Sequence, residues 1–132
     1  MFPHALHALC LDNDPTILDG MSALLTRWGL SCDLASTLDE ALAAVGRRRP
    51  DLLLVDYHLD DDVDGLAAIA TLATRCTPVP PAALITADTS PELPLRARAL
   101  GHALLRKPVK PAALRALIAQ LGRLADKRPV PS

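Results

Sequence analysis

The sequence contains few aromatic residues, since Trp, Tyr and Phe together make up 2% of its 132 residues. Hydrophobic residues nevertheless account for 50%, so the core must be built from aliphatic side chains. No apolar run approaches the length of a membrane span, and the N-terminus lacks the charged and apolar regions of a secretion signal. We therefore predict one globular, cytoplasmic domain that is long enough to bury a sizeable core.

The chain also has almost no net charge, with a formal value of -1 at pH 7. It therefore offers no electrostatic reason to expect nucleic acid or an anionic membrane as a partner. Cysteines are few and scattered, and Cys10, Cys32 and Cys76 lack the spacing of metal ligands. Two of them fall in predicted strands, where a small core residue is the simplest interpretation.

One apolar run, Leu52–Val55, ends on Asp56, with Pro50 before it and several acids after it. A strand that is apolar at every position is typical of the centre of a parallel sheet with both faces covered. Open parallel sheets carry their ligand sites at the carboxyl ends of their strands. Asp56 is therefore a candidate functional residue. A lone strand-end Asp could also cap the following turn, so the other strand ends decide between the two interpretations.

Strand and helix patterns alternate along the chain, which predicts a parallel sheet covered by helices on both faces. No linker or repeat interrupts them, so we assign one domain to residues 1–126 and a frayed tail to residues 127–132. The predicted strands are 5–11, 31–35, 52–56, 82–86 and 103–106, and the predicted helices are 15–29, 38–45, 66–75, 91–100 and 111–124.

Polar residues end or directly follow four of the five predicted strands: Asp12 and Asn13, Asp56, Thr86, and Lys107. The carboxyl ends of parallel strands meet along one edge of a sheet, so these side chains should converge. Two or three oxygen ligands suit Mg²⁺, and a carboxylate can accept a phosphoryl group covalently. A Lys and a Thr hydroxyl could hold the phosphoryl oxygens. The sequence therefore predicts a magnesium-dependent phosphoryl-transfer site.

These motifs resemble the receiver domain of two-component response regulators over nearly the whole chain. The resemblance implies a doubly wound, five-stranded parallel sheet of the flavodoxin-like order 2-1-3-4-5. It also implies a domain that is not a conventional enzyme but catalyses its own phosphorylation from phosphohistidine and its own dephosphorylation. The segments that carry the resemblance are 11–15, 53–56, 64–65, 85–87 and 107–108.

The resemblance further implies a role for each strand-end residue. Asp56 would accept the phosphoryl group, Mg²⁺ would be the cofactor, and Pro108 would follow a cis peptide bond. The implied site comprises Asp56, Thr86 and Lys107 for phosphoryl transfer, and Asp12, Asn13, Asp56 and the backbone carbonyl of His58 for the metal.

Two departures from the family pattern concern the metal site and the response to phosphorylation. Receivers usually carry two adjacent acids after the first strand, but here the second position is Asn13, which removes one negative charge and predicts weaker Mg²⁺ binding. Many receivers carry a Tyr or Phe that turns inward on phosphorylation where this chain has Leu104. The coupled Thr–aromatic switch is therefore either absent or built differently.

The segments 12–21 and 104–115 look most like receivers at the C-terminus of hybrid histidine kinases, which predicts a histidine kinase or a histidine phosphotransfer domain as partner. A free-standing single-domain regulator is the alternative, and a receiver that only docks is another. No helix-turn-helix follows the last helix, so DNA binding is not expected, and neither is membrane contact. A haloacid-dehalogenase-like phosphatase with Asp12 as nucleophile is disfavoured because no acidic pair follows Lys107.

Overall fold

Five strands and five helices alternate in the computed structural model, which describes residues 5–60 and 63–126. The predicted tail, 127–132, lies outside the described residues. No helix in the described part of the chain is long and apolar enough to cross a bilayer. The elements are β1 (His7–Leu11), α1 (Pro15–Arg27), β2 (Ser31–Ala35), α2 (Leu38–Arg47), β3 (Leu52–Asp56), α3 (Gly65–Ala73), β4 (Ala82–Thr86), α4 (Glu92–Ala99), β5 (Ala103–Arg106) and α5 (Pro111–Asp126).

All five strands are parallel and lie in the order β2-β1-β3-β4-β5, which confirms the predicted sheet. The chain passes from β1 outward to β2 and then returns to place β3 on the other side of β1. This reversal opens a crevice at the carboxyl ends of β1 and β3, where open α/β sheets bind ligands. Asp12 and Asp56 lie at that crevice.

The two faces of the sheet pack against different helices. Alternate strand residues such as Leu52 and Leu54 pack with side chains of α1 and α5, and we call this the α1/α5 core. The intervening residues, such as Leu53 and Val55, pack with side chains of α2, α3 and α4, and we call this the α2–α4 core. Every residue of β3 is buried, because both of its faces are covered.

Side-chain caps fix where the helices begin. Asp14 Oδ1 accepts a hydrogen bond from the Thr16 N–H, and Pro15 occupies the first helical position. Thr37 and Glu40 have the spacing of a capping box, and Thr37 Oγ1 accepts a hydrogen bond from the Glu40 N–H, which is half of such a box. The Glu40 carboxylate reaches the Ser36 N–H, one residue further back than such a box requires.

Some predicted boundaries were wrong by one or two residues. The second helix was expected to end at Val45, but α2 continues to Arg47 because the Arg48 N–H still bonds to the Ala44 carbonyl. The first strand was expected from Ala5, but β1 begins at His7, the first residue with a partner on β2.

Gly65 allows α3 to begin directly against the end of β3. A Cβ built at this position would overlap the Asp56 carbonyl oxygen and lie 2.8 Å from Tyr57 Cα. The Gly65 N–H donates to the Tyr57 carbonyl at 2.7 Å. A larger residue would push the two backbones apart, so this glycine helps to fix the position of Asp56.

Candidate active site

One lysine joins the two buried carboxylates at the crevice. Lys107 Nζ lies 3.0 Å from Asp56 Oδ1 and 3.2 Å from Asp12 Oδ2. Asp12 is 3% exposed and Asp56 4% exposed. Side chains alternate between the faces of a strand, so all three residues fall in phase with strand positions of the α1/α5 core. The structure therefore brings together three of the residues predicted from sequence.

The site places two negative groups beside one positive group. Burial raises the pKa of the Asp56 carboxyl above its ordinary value, and the nearby Asp12 adds to this; the hydrogen bond and charge of Lys107 oppose the rise but do not cancel it. Partial burial alone would lower the pKa of Lys107. The hydrogen bond to Asp56 and the charges of both carboxylates outweigh it, so the pKa of Lys107 is raised. Lys107 therefore remains a cation.

Asp12 and Asn13 connect the loop after β1 to its surroundings. Asp12 Oδ1 accepts a hydrogen bond from the Asp14 N–H at 2.9 Å, which leaves the other oxygen directed to Lys107. Asn13 is exposed, and its amide nitrogen donates to the Leu59 carbonyl in the loop after β3. The amide thus ties two loops together. The metal-binding role of Asn13 stays a prediction.

Thr86 is fully buried at the end of β4, but its hydroxyl bonds to its own loop. Thr86 Oγ1 accepts a hydrogen bond from the Asp88 N–H at 2.8 Å. Thr86 is in phase with β4 residues of the α2–α4 core, whereas Asp56 and Lys107 are in phase with the α1/α5 core. Thr86 thus falls in phase with the opposite face of the sheet from Asp56 and Lys107, and its role in phosphoryl transfer stays a prediction.

His58 lies in the loop after β3, where it forms an isolated antiparallel bridge with Asp64. Its side chain is 66% exposed, and its Nε2 is 3.6 Å from Asp88 Oδ2. The ring also packs edge-on against Tyr57, with centroids 4.8 Å apart. The proposed use of the His58 carbonyl as a metal ligand stays a prediction.

Sequence reasoning missed Asp88 and Arg106. Arg106 Nη1 donates to the Asp88 carbonyl at 2.6 Å, and the Asp88 carboxylate accepts from the Ser90 N–H at 2.7 Å. Residues 87–92 have the composition of a turn and a helix start, and Arg106 is the last residue of its strand, so neither pattern marks a site. The usable signal was the alternation along β5, which places Arg106 opposite Thr86 in the sheet register.

The donors present are suited to Mg²⁺. Asp12 and Asp56 supply two buried carboxylates, and the described ranges contain no cluster of three or more His, Cys, Asp or Glu side chains able to hold a metal. Further ligands would have to be neutral oxygens and water. Mg²⁺ commonly binds proteins in this way, through one or two carboxylates with several retained waters.

An apolar groove of about 320 Å³ adjoins the site, between α1 and the β5–α5 loop. Lys107 contributes to its wall, so the groove and the site share a side chain. Gly20 leaves the surface of α1 open, since a Cβ built there would meet nothing within 4 Å. The other lining residues are Ile17, Met21, Leu24, Pro108 and Val109. The bond between Lys107 and Pro108 is cis, as the resemblance implied.

Residues 8–119 match the response regulator receiver domain family, and the chain belongs to it. It is therefore a receiver domain of two-component signalling. Among solved structures, it is similar to the CheY-like receiver of Methanospirillum hungatei JF-1, with 25% identity, coverage of 94% of this chain and 98% of that one, and a TM-score of 0.82. Chemotaxis protein CheY4 of Vibrio cholerae shares the fold, with 23% identity, coverage of 89% and 99%, and a TM-score of 0.79.

A match to a known protein sequence covers a smaller segment. The chain is 36% identical over 62 residues to the transcriptional regulatory protein PmrA of Pectobacterium parmentieri. The aligned segment is 47% of this chain and 28% of PmrA. Receiver domains interact with histidine kinases or phosphotransfer proteins, generally bind Mg²⁺, and are generally not enzymes in the usual sense.

Proposed function

We propose that Asp56 accepts a phosphoryl group from the phosphohistidine of a partner protein. The observation that carries the proposal is Lys107 Nζ, which lies within 3.2 Å of oxygens of both Asp56 and Asp12. A carboxylate oxygen of Asp56 would form the new bond to phosphorus while the phosphorus–nitrogen bond breaks. The bonding electrons then return to the imidazole nitrogen of the donor.

Lys107 balances the charge before and after transfer. Its ammonium is a compact point charge with rotatable donors, so it can turn from the carboxylate to a phosphoryl oxygen. Thr86 would donate its hydroxyl hydrogen to another phosphoryl oxygen. Asp12, Asp56, the Asn13 amide oxygen and the His58 backbone carbonyl would hold Mg²⁺. The ion would neutralise charge that develops on the phosphoryl group.

The test is direct labelling with acetyl phosphate and Mg²⁺, followed by mass spectrometry. The parent should gain one phosphoryl group, and reduction with borohydride should locate it at position 56. Asp56→Asn keeps the shape of the side chain but removes the nucleophilic charge, so it should gain none. Asp19→Asn removes a charge from an exposed position on α1 and should label like the parent. Label on Asp12 would instead support the phosphatase alternative.

We further propose that the partner is a histidine phosphotransfer or kinase domain that lays a helix in the groove beside α1. The groove is apolar, and Lys107 lies in its wall. A helix seated there would therefore lie beside Lys107, whose ammonium is 3.0 Å from Asp56 Oδ1. Gly20 supports this arrangement, because glycine costs up to about 1 kcal/mol relative to Ala in a helix interior yet allows close approach.

Two settings for this receiver each have an observation in their favour. Segments 12–21 and 104–115 resemble receivers of hybrid histidine kinases, which supports a receiver within a sensor kinase. The match to PmrA supports a response regulator instead. The sequence that flanks these residues in the full-length protein distinguishes them: a histidine kinase core upstream would favour the hybrid kinase, and a full-length protein without a kinase core would favour the regulator.

A further inference from the structure

We propose that Arg106 is a positioning residue, which holds the Thr86 hydroxyl through Asp88 and so sets how fast Asp56 gains and loses its phosphoryl group. The inference rests on the proposed function, because it assigns a role at the same site. Arg106 would couple β5 to the site through hydrogen bonds, which the apolar side chain of Leu104 on the same strand cannot form.

The connection consists of two short hydrogen bonds through one residue. Arg106 Nη1 donates to the Asp88 carbonyl at 2.6 Å, and the Asp88 N–H donates to Thr86 Oγ1 at 2.8 Å. The Asp88 carboxylate accepts from the Ser90 N–H, which fixes the turn that carries both backbone groups. Arg106 therefore holds the peptide segment on which the hydroxyl of Thr86 depends.

This arrangement prepares the hydroxyl to act as a donor. A hydroxyl has one hydrogen to donate and two lone pairs that accept. The Asp88 N–H occupies a lone pair of Thr86, which leaves the hydrogen for a phosphoryl oxygen. Thr86 is 0% exposed, so bulk water does not compete for its orientation. Movement of Asp88 would leave the hydroxyl free to rotate away from the phosphoryl group.

The register of the sheet explains why Arg106 can serve in this way. Thr86 and Arg106 are paired across β4 and β5, so their side chains leave the same face. Leu104, two residues earlier on that face, packs against the α2–α4 core. His58 Nε2 lies 3.6 Å from Asp88 Oδ2, beyond hydrogen-bond distance, whereas Arg106, although its side chain is also exposed, bonds to the Asp88 carbonyl at 2.6 Å. Arg106 is thus the stronger constraint on this turn.

The experiment compares Arg106→Ala, Arg106→Lys and Arg98→Ala. The Arg98 side chain is exposed on α4 and makes no hydrogen bond or ion pair within the described residues, so Arg98→Ala removes the same charge without breaking a side-chain contact. Two properties are measured for each variant: hydrogen exchange of the Asp88 amide without phosphodonor, and the rates at which Asp56 is labelled by acetyl phosphate with Mg²⁺ and then loses the label.

Arg106→Ala should speed exchange of the Asp88 amide by about tenfold and change the labelling or loss rate by roughly threefold to tenfold. Arg106→Lys should recover part of both effects, since an ammonium can still donate to the carbonyl. Arg98→Ala should match the parent. If Arg106→Ala and Arg98→Ala gain and lose the label at equal rates, the inference is wrong, even if their Asp88 amides exchange at different rates. It is also wrong if Arg106→Lys restores neither the amide exchange nor the labelling rates. A parent that takes no label at Asp56 would overturn the proposed function itself.

Discussion

Replacing Asp56 by Asn is expected to stabilise the folded chain near neutral pH, although it removes the ion pair with Lys107. Asp56 is 4% exposed and shares that lysine with Asp12. The pair of carboxylates therefore carries one more negative charge than the lysine balances. The asparagine amide is close in shape to the carboxylate and can still accept a hydrogen bond from Lys107.

Three effects decide the size of the change. At an effective dielectric of about 20, attraction between charges roughly 3 Å apart is worth about 5 kcal/mol, and repulsion between charges about 5 Å apart about 3 kcal/mol. Removing water from a carboxylate costs several kcal/mol more. The pKa of Asp56 is raised despite Lys107, with burial as the largest cause, so the costs of its charge exceed the attraction. We expect Asp56→Asn to raise the free energy of unfolding by about 1 to 2 kcal/mol at neutral pH.

The stabilisation by Asp56→Asn should depend on pH. A raised pKa means that the folded chain binds the Asp56 proton more tightly than the unfolded chain does. The charge therefore destabilises the fold fully above the raised folded pKa, and this cost disappears as the pH falls below the ordinary value of about 4. The advantage of Asp56→Asn should shrink over the same range.

Urea unfolding followed by far-UV circular dichroism, at neutral pH and near pH 4, measures both effects. Asp19→Asn serves as the control, since it removes a carboxylate from an exposed position. Its stability should stay within about 0.5 kcal/mol of the parent. If Asp56→Asn proves less stable than the parent at neutral pH, or if its advantage does not depend on pH, the electrostatic reasoning is wrong.

Three further predictions concern ligands and partners. Asn13→Asp should lose the hydrogen bond to the Leu59 carbonyl and, without metal, about 1 kcal/mol of the free energy of unfolding. Calorimetry should nevertheless show Mg²⁺ binding severalfold tighter than in the parent. Weaker binding would place Asn13 away from the metal. Gly20→Arg should slow transfer from a protein donor at least about tenfold but leave acetyl phosphate labelling and folding intact. Gly46→Arg, at another glycine with open space around it, should leave all three unchanged. Labelling of Asp56 should speed up as the pH rises through its raised pKa, because the carboxylate is the nucleophile; a rate that is flat or falls would contradict this.

The framework of the fold was predictable because it depends on local patterns. Four apolar residues ending on Asp56 indicated a central strand, and every residue of β3 is buried. Alternation of strands and helices then placed Asp12 and Lys107 at the same edge. These inferences need only periodicity and the direction of parallel strands.

The contacts around Thr86 were not predictable in the same way. Whether its hydroxyl meets Asp56 or the Asp88 N–H depends on the path of the β4–α4 loop, and periodicity contains no information on that path. The bond from the Asn13 amide to the Leu59 carbonyl likewise joins loops that are 46 residues apart in sequence. Such contacts arise from tertiary packing, which decides loop conformations that local sequence leaves open.

The position of Trp28 has a consequence for anyone who follows this domain by fluorescence. It is the single tryptophan of the chain, lies at the end of α1 far from the carboxyl edge of the sheet, and packs against the α1/α5 core. A rearrangement near Thr86 would occur on the other face, so the indole emission should hardly change if Asp56 is phosphorylated. A useful optical reporter would be Tyr57→Trp in a Trp28→Phe background, because Tyr57 follows Asp56 directly and packs against the α2–α4 core.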